Sequence, residues 1–239
     1  MVNFVLWFIL NIIDWDYKYN IVWGDNMDNN IMWVNEQKIL RTIDALRKSN
    51  MNGYFARSKD YLIGIIENII EPGNKIAFGG SMTLFECGVM DYLKSGKYNL
   101  LDRNKPNITR EEVNEIYRQA FLSDVYFTSS NAITEKGEIY NVDGNGNRVA
   151  AILYGPKKVI IIAGVNKIVP TIEDAIKRNK EVSAPANTKR LNKATPCSKI
   201  GKCMDCDNKE RICNEYTLIK RQIDKDRIHV IFVNETLGY

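Results

Sequence analysis

Four of the five cysteines fall in one short stretch, Cys197, Cys203, Cys206 and Cys213, with the spacing C-x5-C-x2-C-x6-C. Thiolates are soft ligands, and clustering four of them in a chain large enough to fold without disulfides points to a bound metal. The Cys203–Cys206 pair has the knuckle spacing with which two sulfurs grip one metal, and Cys197 and Cys213 complete a tetrahedral set. Zinc sites usually show two close pairs, and ferredoxin-type clusters show denser spacing. The expected cofactor is therefore an iron–sulfur cluster or zinc, with a redox disulfide pair or free thiols as the remaining alternatives. Lys180 to Arg227 carries 12 Lys and Arg against 7 Asp and Glu. Such a basic shell would hold thiolates deprotonated, although a solvated basic face explains it equally well. Cys87, inside an expected helix, reads as a small buried hydrophobe.

A second group of residues has the types needed to hold an anion. Phe78-Gly79-Gly80-Ser81-Met82-Thr83 joins an expected strand to an expected helix start. Gly79 and Gly80 would let the backbone approach a ligand, while Ser81 and Thr83 add hydroxyls. A plain tight turn with Ser81 as helix cap is the competing reading. No P-loop lysine and no complete dinucleotide fingerprint follows. Asn131 and Glu135 lie just beyond a buried strand, where open α/β sheets place their ligands. Asp143, Asn147 and Arg148 occupy a glycine-punctuated loop. Arg148 is expected either to pair with a substrate carboxylate or to make an ion pair with Asp143 or Glu135. Glu86, three residues past Thr83, would face the same mouth. His229 is the only histidine and reads as structural, which argues against nucleophile–histidine hydrolases.

The elements expected to position these groups alternate from Lys75 onward. Helices are read over 36–49, 58–70, 82–93, 109–122 and 171–180. Thr109 to Glu112 forms a capping box. Strands are read over 75–78, 99–101, 124–128, 138–142, 158–163 and 228–233, and the KVIIIA run at Lys158 is typical of a strand covered on both faces. Residues 135–137 are read as the turn joining the strands over 124–128 and 138–142. The fold class is thus α/β: a mainly parallel sheet flanked by helices, with an antiparallel hairpin and a C-terminal cysteine loop over 195–214.

The chain of 239 residues is 45% hydrophobic and 26% charged, which suits one globular domain. A net charge of +4 gives no argument for nucleic acid. The apolar run from Val2 to Ile13 is too short to span a membrane and lacks the features of a secretory signal. Residues 1–35 are read as a poorly structured N-terminal extension or a start-site artefact, with a weak surface anchor as the alternative for the first 26. The single domain then occupies 36–239, and the protein is expected to be cytoplasmic.

The segments GGSMTLFECG, TSSNAITEKGEIYNVDGNGNRVAA, GPKKVIIIAGVNKIV, TPCSKIGKCMDCDNKERICN and IHVIFVNETLGY resemble the lactate-utilization (LUD) domain family, closest to its stand-alone members. The resemblance covers Glu36 to Tyr239. It implies a fold similar to the sugar-phosphate isomerase and coenzyme A transferase group. It also implies a pocket lined by Gly80, Ser81, Glu86, Asn131 and Glu135, next to Asp143, Asn147 and Arg148. Relatives serve as subunits of iron–sulfur complexes that oxidise lactate, so redox partner subunits and electron transfer are implied. Two departures stand out: the dense ferredoxin-like cysteine block of larger relatives is missing, and no flavin or nicotinamide motif occurs. The leading expectation is an accessory subunit in 2-hydroxy-acid oxidation that binds a small carboxylate or phosphate. The alternatives are a stand-alone transferase or isomerase using Glu86 or Glu135 as base or nucleophile, and a non-catalytic redox or ligand sensor.

Overall fold

The computed structural model describes residues 28–239. At its centre lie two strands of almost entirely β-branched and apolar sequence, β7 (Lys158–Gly164) and β10 (Ile228–Val233). Alternate residues of such strands point to opposite faces, and here both faces are dry. Val159 and Ile161 join one core with Ile39, Ile43 and Leu46, while Ile160 and Ile162 join another with Leu62, Ile66 and Leu84. Four further strands complete a six-stranded sheet: β1 (Asn52–Ala56), β2 (Lys75–Phe78), β3 (Asn99–Leu100) and β4 (Val125–Thr128). Its order is β1-β10-β7-β4-β2-β3, with every pairing parallel.

Helices cover both faces, as the connections of a parallel sheet require. Helix α1 (Asn29–Lys48) begins where the Asp28 carboxylate accepts the Asn30 and Ile31 amides, and it buries Ile39, Thr42, Ile43 and Leu46. It therefore starts earlier than the expected Glu36. The reading of residues 1–26 lies outside the described residues. Helix α2 (Lys59–Ile69) is capped by Ser58 and buries Leu62, Ile66 and Ile69 on the opposite face. The helix expected over 82–93 is broken at Gly88 (φ 73°) into α3 (Met82–Glu86) and α4 (Val89–Leu93). Helix α5 (Arg110–Gln119) carries the expected capping box and buries no residue completely.

A smaller sheet has the order β8-β5-β6-β9 and contains β5 (Ala132–Thr134), β6 (Ile139–Asp143), β8 (Ile168–Val169) and β9 (Glu215–Ile219). This corrects the expected hairpin. The strand at 138–142 pairs antiparallel with β5, not with the strand at 124–128, which belongs to the large sheet. The turn does fall at 135–137. A Cβ on Gly137 (φ 80°) would meet the α1 backbone at 2.8 Å, so only glycine lets the turn press against that helix. The remaining helices are α6 (Asn147–Tyr154), α7 (Ile172–Arg178), α8 (Ala184–Arg190, joined to α7 by a π turn) and α9 (Pro196–Ile200). Among the described residues no helix is long and apolar enough to cross a membrane.

Candidate functional site: a cationic cavity beside the cysteine loop

Strand β2 leads outward to β3, and the chain then returns to the other side of β2 as β4. The loops leaving β2 and β4 therefore diverge and open a crevice at the carboxyl edge of the sheet. A cavity of about 570 Å³ lies there. Gly80 and Ser81 from the first loop, Ser129 to Asn131 from the second, and Asp143, Asn147 and Arg148 line it. Ser81 also caps α3, its hydroxyl accepting the Leu84 amide at 3.4 Å. The binding and capping readings of Ser81 are thus compatible.

Arg148 does not wait for a ligand. Its guanidinium donates to Asn141 Oδ1 (2.6 Å), Val142 O (2.8 Å), Asn131 Oδ1 (3.1 Å) and Ser129 O (3.2 Å), and Nε lies 3.5 Å from Asp143 Oδ1. Of the two roles expected for this arginine, the structure shows the ion pair with Asp143. The Asp143 carboxylate also accepts the Arg148 amide at 3.0 Å, which fixes the start of α6. Asn131 accepts the Val142 amide at 3.0 Å as well. These residues form a brace that holds one wall of the cavity.

Further positive charge comes from residues that the sequence reading did not name one by one. Arg103, Arg110, Arg190, Lys193, Lys209 and Arg211 all line the cavity, against two acidic residues, Asp143 and Glu210. Arg103 lies over the Tyr117 and Phe78 rings and donates to Tyr117 Oη at 2.8 Å. Its Nε is buried without a partner. A Cβ on Gly80 would fall 2.6 Å from Arg103 Nη2, so a larger side chain there would displace the guanidinium.

Lys167 also contributes to the wall and is 2% exposed. Its Nζ donates to Thr83 Oγ1 and to Ser129 Oγ, both at 2.9 Å, and forms no ion pair among the described residues. Burial, reinforced by the Arg178 and Arg148 charges, lowers its pKa to about 7. Arg178 is itself held by Asn166 O (2.9 Å) and Ser183 Oγ (2.8 Å). Lys167 follows the buried strand β7, in the position that draws attention to the Ser129 loop after β4. The same rule applied one strand later points to it. Arg190 belongs to the basic stretch from Lys180 to Arg227, whereas Arg103 and Arg110 sit in segments with no comparable signal.

The two carboxylates expected to do chemistry lie elsewhere. Glu135 pairs with Arg41 at 3.1 Å beside α1, in a separate shallow depression with Asp44 and Lys48. A strand advances ~3.3 Å per residue, so β5 carries Glu135 roughly 13 Å beyond Asn131. Glu86 accepts the Gly238 amide at 2.6 Å and does not line the cavity. Thr83 is buried behind the wall, where it meets Lys167. Gly79 is likewise packed behind the wall, against Thr128, Arg148 and Tyr126. His229 is held between Tyr54 Oη (3.0 Å) and Asp226 O (2.8 Å) under the stacked Tyr54 ring, as a structural residue.

The cysteine loop forms part of the opposite wall. Arg211 donates to Cys206 O (2.7 Å) and Cys213 O (2.8 Å) while lining the cavity. Asn214 ties the loop to the Asp143–Gly144 turn, through Asn214 N to Asp143 O at 2.8 Å. Cys197 is buried between the Thr188 and Thr195 hydroxyls, each 3.3 Å from its sulfur. The Asp205 amide donates to Cys203 Sγ at 3.4 Å. Burial and the neighbouring thiols of Cys203, Cys197 and Cys206 push the Cys213 thiol up to about 11. All five cysteines are free thiols. The donor chemistry suits a soft metal, but among the described residues no three His, Cys, Asp or Glu side chains are placed to hold one. The sulfurs influence one another without forming a ligand set.

A DUF162 family protein from Deinococcus radiodurans is similar with 13% identity and a TM-score of 0.48, over 83% of this chain and 98% of that one. The α subunit of a malonate decarboxylase from Acinetobacter baumannii is similar with 12% identity and a TM-score of 0.36, over 86% of this chain but 39% of its own length. No curated protein sequence matches. The LUD domain model matches residues 39–233, from within α1 to the end of β10, and the chain belongs to the LUD domain family.

Proposed function

We propose that this lactate-utilization-type protein binds a small 2-hydroxy carboxylate in the cavity at the carboxyl edge of the large sheet, as an accessory subunit in its oxidation. The observation that carries this reading is the excess of Arg and Lys around a polar cavity, where among the described residues only Asp143 and Glu210 oppose them. A carboxylate would draw on Arg103, Arg110 and Arg190, and the 2-hydroxyl group would lie toward Ser129 and Lys167. An amine with a pKa near 7 can accept a proton from a hydroxyl at neutral pH. Oxidising a hydroxyl to a ketone releases two electrons and two protons. In this reading the electrons pass to a redox partner subunit.

The cysteine loop enters the proposal as the thiol set of an iron–sulfur or zinc site. Its support is the donor chemistry and the mutual influence of the four thiols, and metal binding would have to draw the sulfurs together. No step above depends on it. Anaerobic purification with iron and zinc analysis tests it: near-stoichiometric metal that is lost in Cys206→Ser supports the site, and metal-free protein removes it.

A second reading is a stand-alone isomerase or transferase, favoured by the same near-neutral amine. In that reading Lys167 takes the general-base role that the sequence suggested for Glu135 or Glu86. Calorimetric titration with lactate, inorganic phosphate and propanol, followed by substrate turnover, separates the readings. Lactate binding that weakens at least tenfold in Arg103→Met supports the carboxylate proposal. Equal binding of the uncharged alcohol would overturn it. Preference for phosphate together with turnover of a sugar phosphate by the chain alone would favour the second reading.

A further inference from the structure

We propose that Lys167 is a nucleophile that condenses with the carbonyl group of a 2-oxo acid in the cavity, forming an imine. The inference deepens the carboxylate-binding reading and rests on it, because a 2-oxo acid is what oxidation of a 2-hydroxy acid yields.

The geometry around Nζ suits the neutral amine. A neutral lysine has two N–H donors and one lone pair, whereas an ammonium has three donors and no lone pair. Exactly matched to the neutral form are the two hydroxyl acceptors at 2.9 Å, Thr83 Oγ1 and Ser129 Oγ. Thr83 commits its own proton to Leu237 O at 3.3 Å, which fixes its oxygen as an acceptor toward the lysine. With both N–H groups used, the lone pair remains for an electrophile. No carboxylate pairs with Nζ among the described residues, and burial with the Arg178 and Arg148 charges disfavours the ammonium form more than the Glu86 charge favours it. Structural buried lysines are normally neutralised by a carboxylate. This one instead lines a cavity able to receive an anion.

The step balances without a further reactant. Nζ attacks the carbonyl carbon, the C–N bond forms, and the carbonyl oxygen takes up a proton to give a carbinolamine. Loss of that oxygen as water, with two protons in all, leaves the imine. Ser129 Oγ lines the same cavity and makes no other hydrogen bond among the described residues, so its hydroxyl is placed to pass a proton to the carbonyl oxygen. The cationic lining would hold the carboxylate of the oxo acid and orient its carbonyl.

The test uses the full chain with pyruvate as probe and sodium borohydride to reduce any imine to a stable secondary amine. The expected result is one adduct per chain by intact mass, mapped to the peptide containing Lys167. It should be at least tenfold lower in Lys167→Arg, whose guanidinium stays protonated and offers no lone pair, and suppressed by excess lactate. Circular dichroism and calorimetric lactate titration of the same samples keep the outcomes apart. Lactate binding in wild type with no adduct, or with equal labelling in a folded Lys167→Arg variant, overturns the imine but leaves the carboxylate reading intact. Absence of lactate binding overturns the reading itself. If Lys167→Arg fails to fold, Ser129→Ala must slow adduct formation several-fold at saturating pyruvate; an unchanged rate there overturns the proposal.

Discussion

The two walls of the cavity are built on different principles. One wall hangs on the carboxyl ends of β2 and β4, where Arg148 ties Ser129, Asn131, Asn141, Val142 and Asp143 into one partly buried brace. The other is the cysteine loop, where Arg211 donates to only two carbonyls and Cys203, Met204, Asp205 and Asp207 stand wholly or partly in solvent. Both use an arginine to gather chain segments. In the first wall the sheet has already fixed those segments, and the arginine completes a satisfied network. In the second no regular element runs between α9 and β9, so the chain depends on local bonds. A braced wall resists change, whereas an open loop of thiols leaves room for a ligand to reorganise it.

Removing the brace is the largest break of this contrast. Arg148→Ala strands several buried oxygen acceptors and the Asp143 charge, and should cost about 3–5 kcal/mol in denaturant unfolding. Arg148→Lys should recover only part of this, because an ammonium cannot fork to several acceptors. A loss below about 1 kcal/mol for Arg148→Ala would show that the two walls are equally soft.

The next largest effect is a pH dependence confined to the braced wall. The pKa of Lys167 is lowered in the folded protein from 10.5 to about 7. Between those values the unfolded chain binds the extra proton, so this lysine makes stability rise with pH across that window. Below about pH 7 both states are protonated and the burial penalty is constant. Lys167→Met should therefore be stabilising at and below pH 7, with its advantage shrinking as pH rises toward 10. The charges facing Nζ are Arg178 from α7, Arg148 from α6 and Glu86 from α3. Melting temperatures of both proteins from pH 6 to 9.5 check this, and parallel profiles would contradict it.

The loop should answer differently. In metal-free protein, Cys206→Ser touches a half-exposed thiol and should change stability by no more than about 0.5 kcal/mol. Metal-loaded protein should lose its added stability in the same variant. A large destabilisation without metal would mean that the thiols pack the loop as a core does.

The smallest effect belongs to Glu135→Gln. Its partner Arg41 has a side chain 61% exposed, so breaking the pair should cost about 0.2–1 kcal/mol. Lactate affinity should not change, because Glu135 sits in the depression beside α1. A tenfold loss of affinity would bring that residue back to the site and erase the distinction between the two pockets.

Much of the frame is legible along the chain because it rests on local rules. The KVIIIA run declares a strand buried on both faces, and Thr109, Thr171 and Ser58 mark helix starts through their caps. Strand β1 escapes those rules: it is short, Gly53 interrupts its apolar pattern, and its partner β10 lies at the far end of the sequence. Helix α6 is hidden by the glycines before it, one of which, Gly146, adopts a positive φ of 71° to start it.

The site divides along the same line. Gly80, Ser81, Asn131, Asp143, Asn147 and Arg148 are readable because each lies within a turn of a recognisable strand end. What the amino-acid sequence determined by itself is the α/β class, the glycine turn, the clustered thiols and the family, all properties of short segments. Only the tertiary structure decided that Glu135 points away, that Arg148 is spent on a brace, and that Arg103, Arg110, Lys167 and Arg190 meet around one cavity. Their charges come from distant segments, and it is the crossing order of a parallel sheet, not any local preference, that carries those segments to one edge.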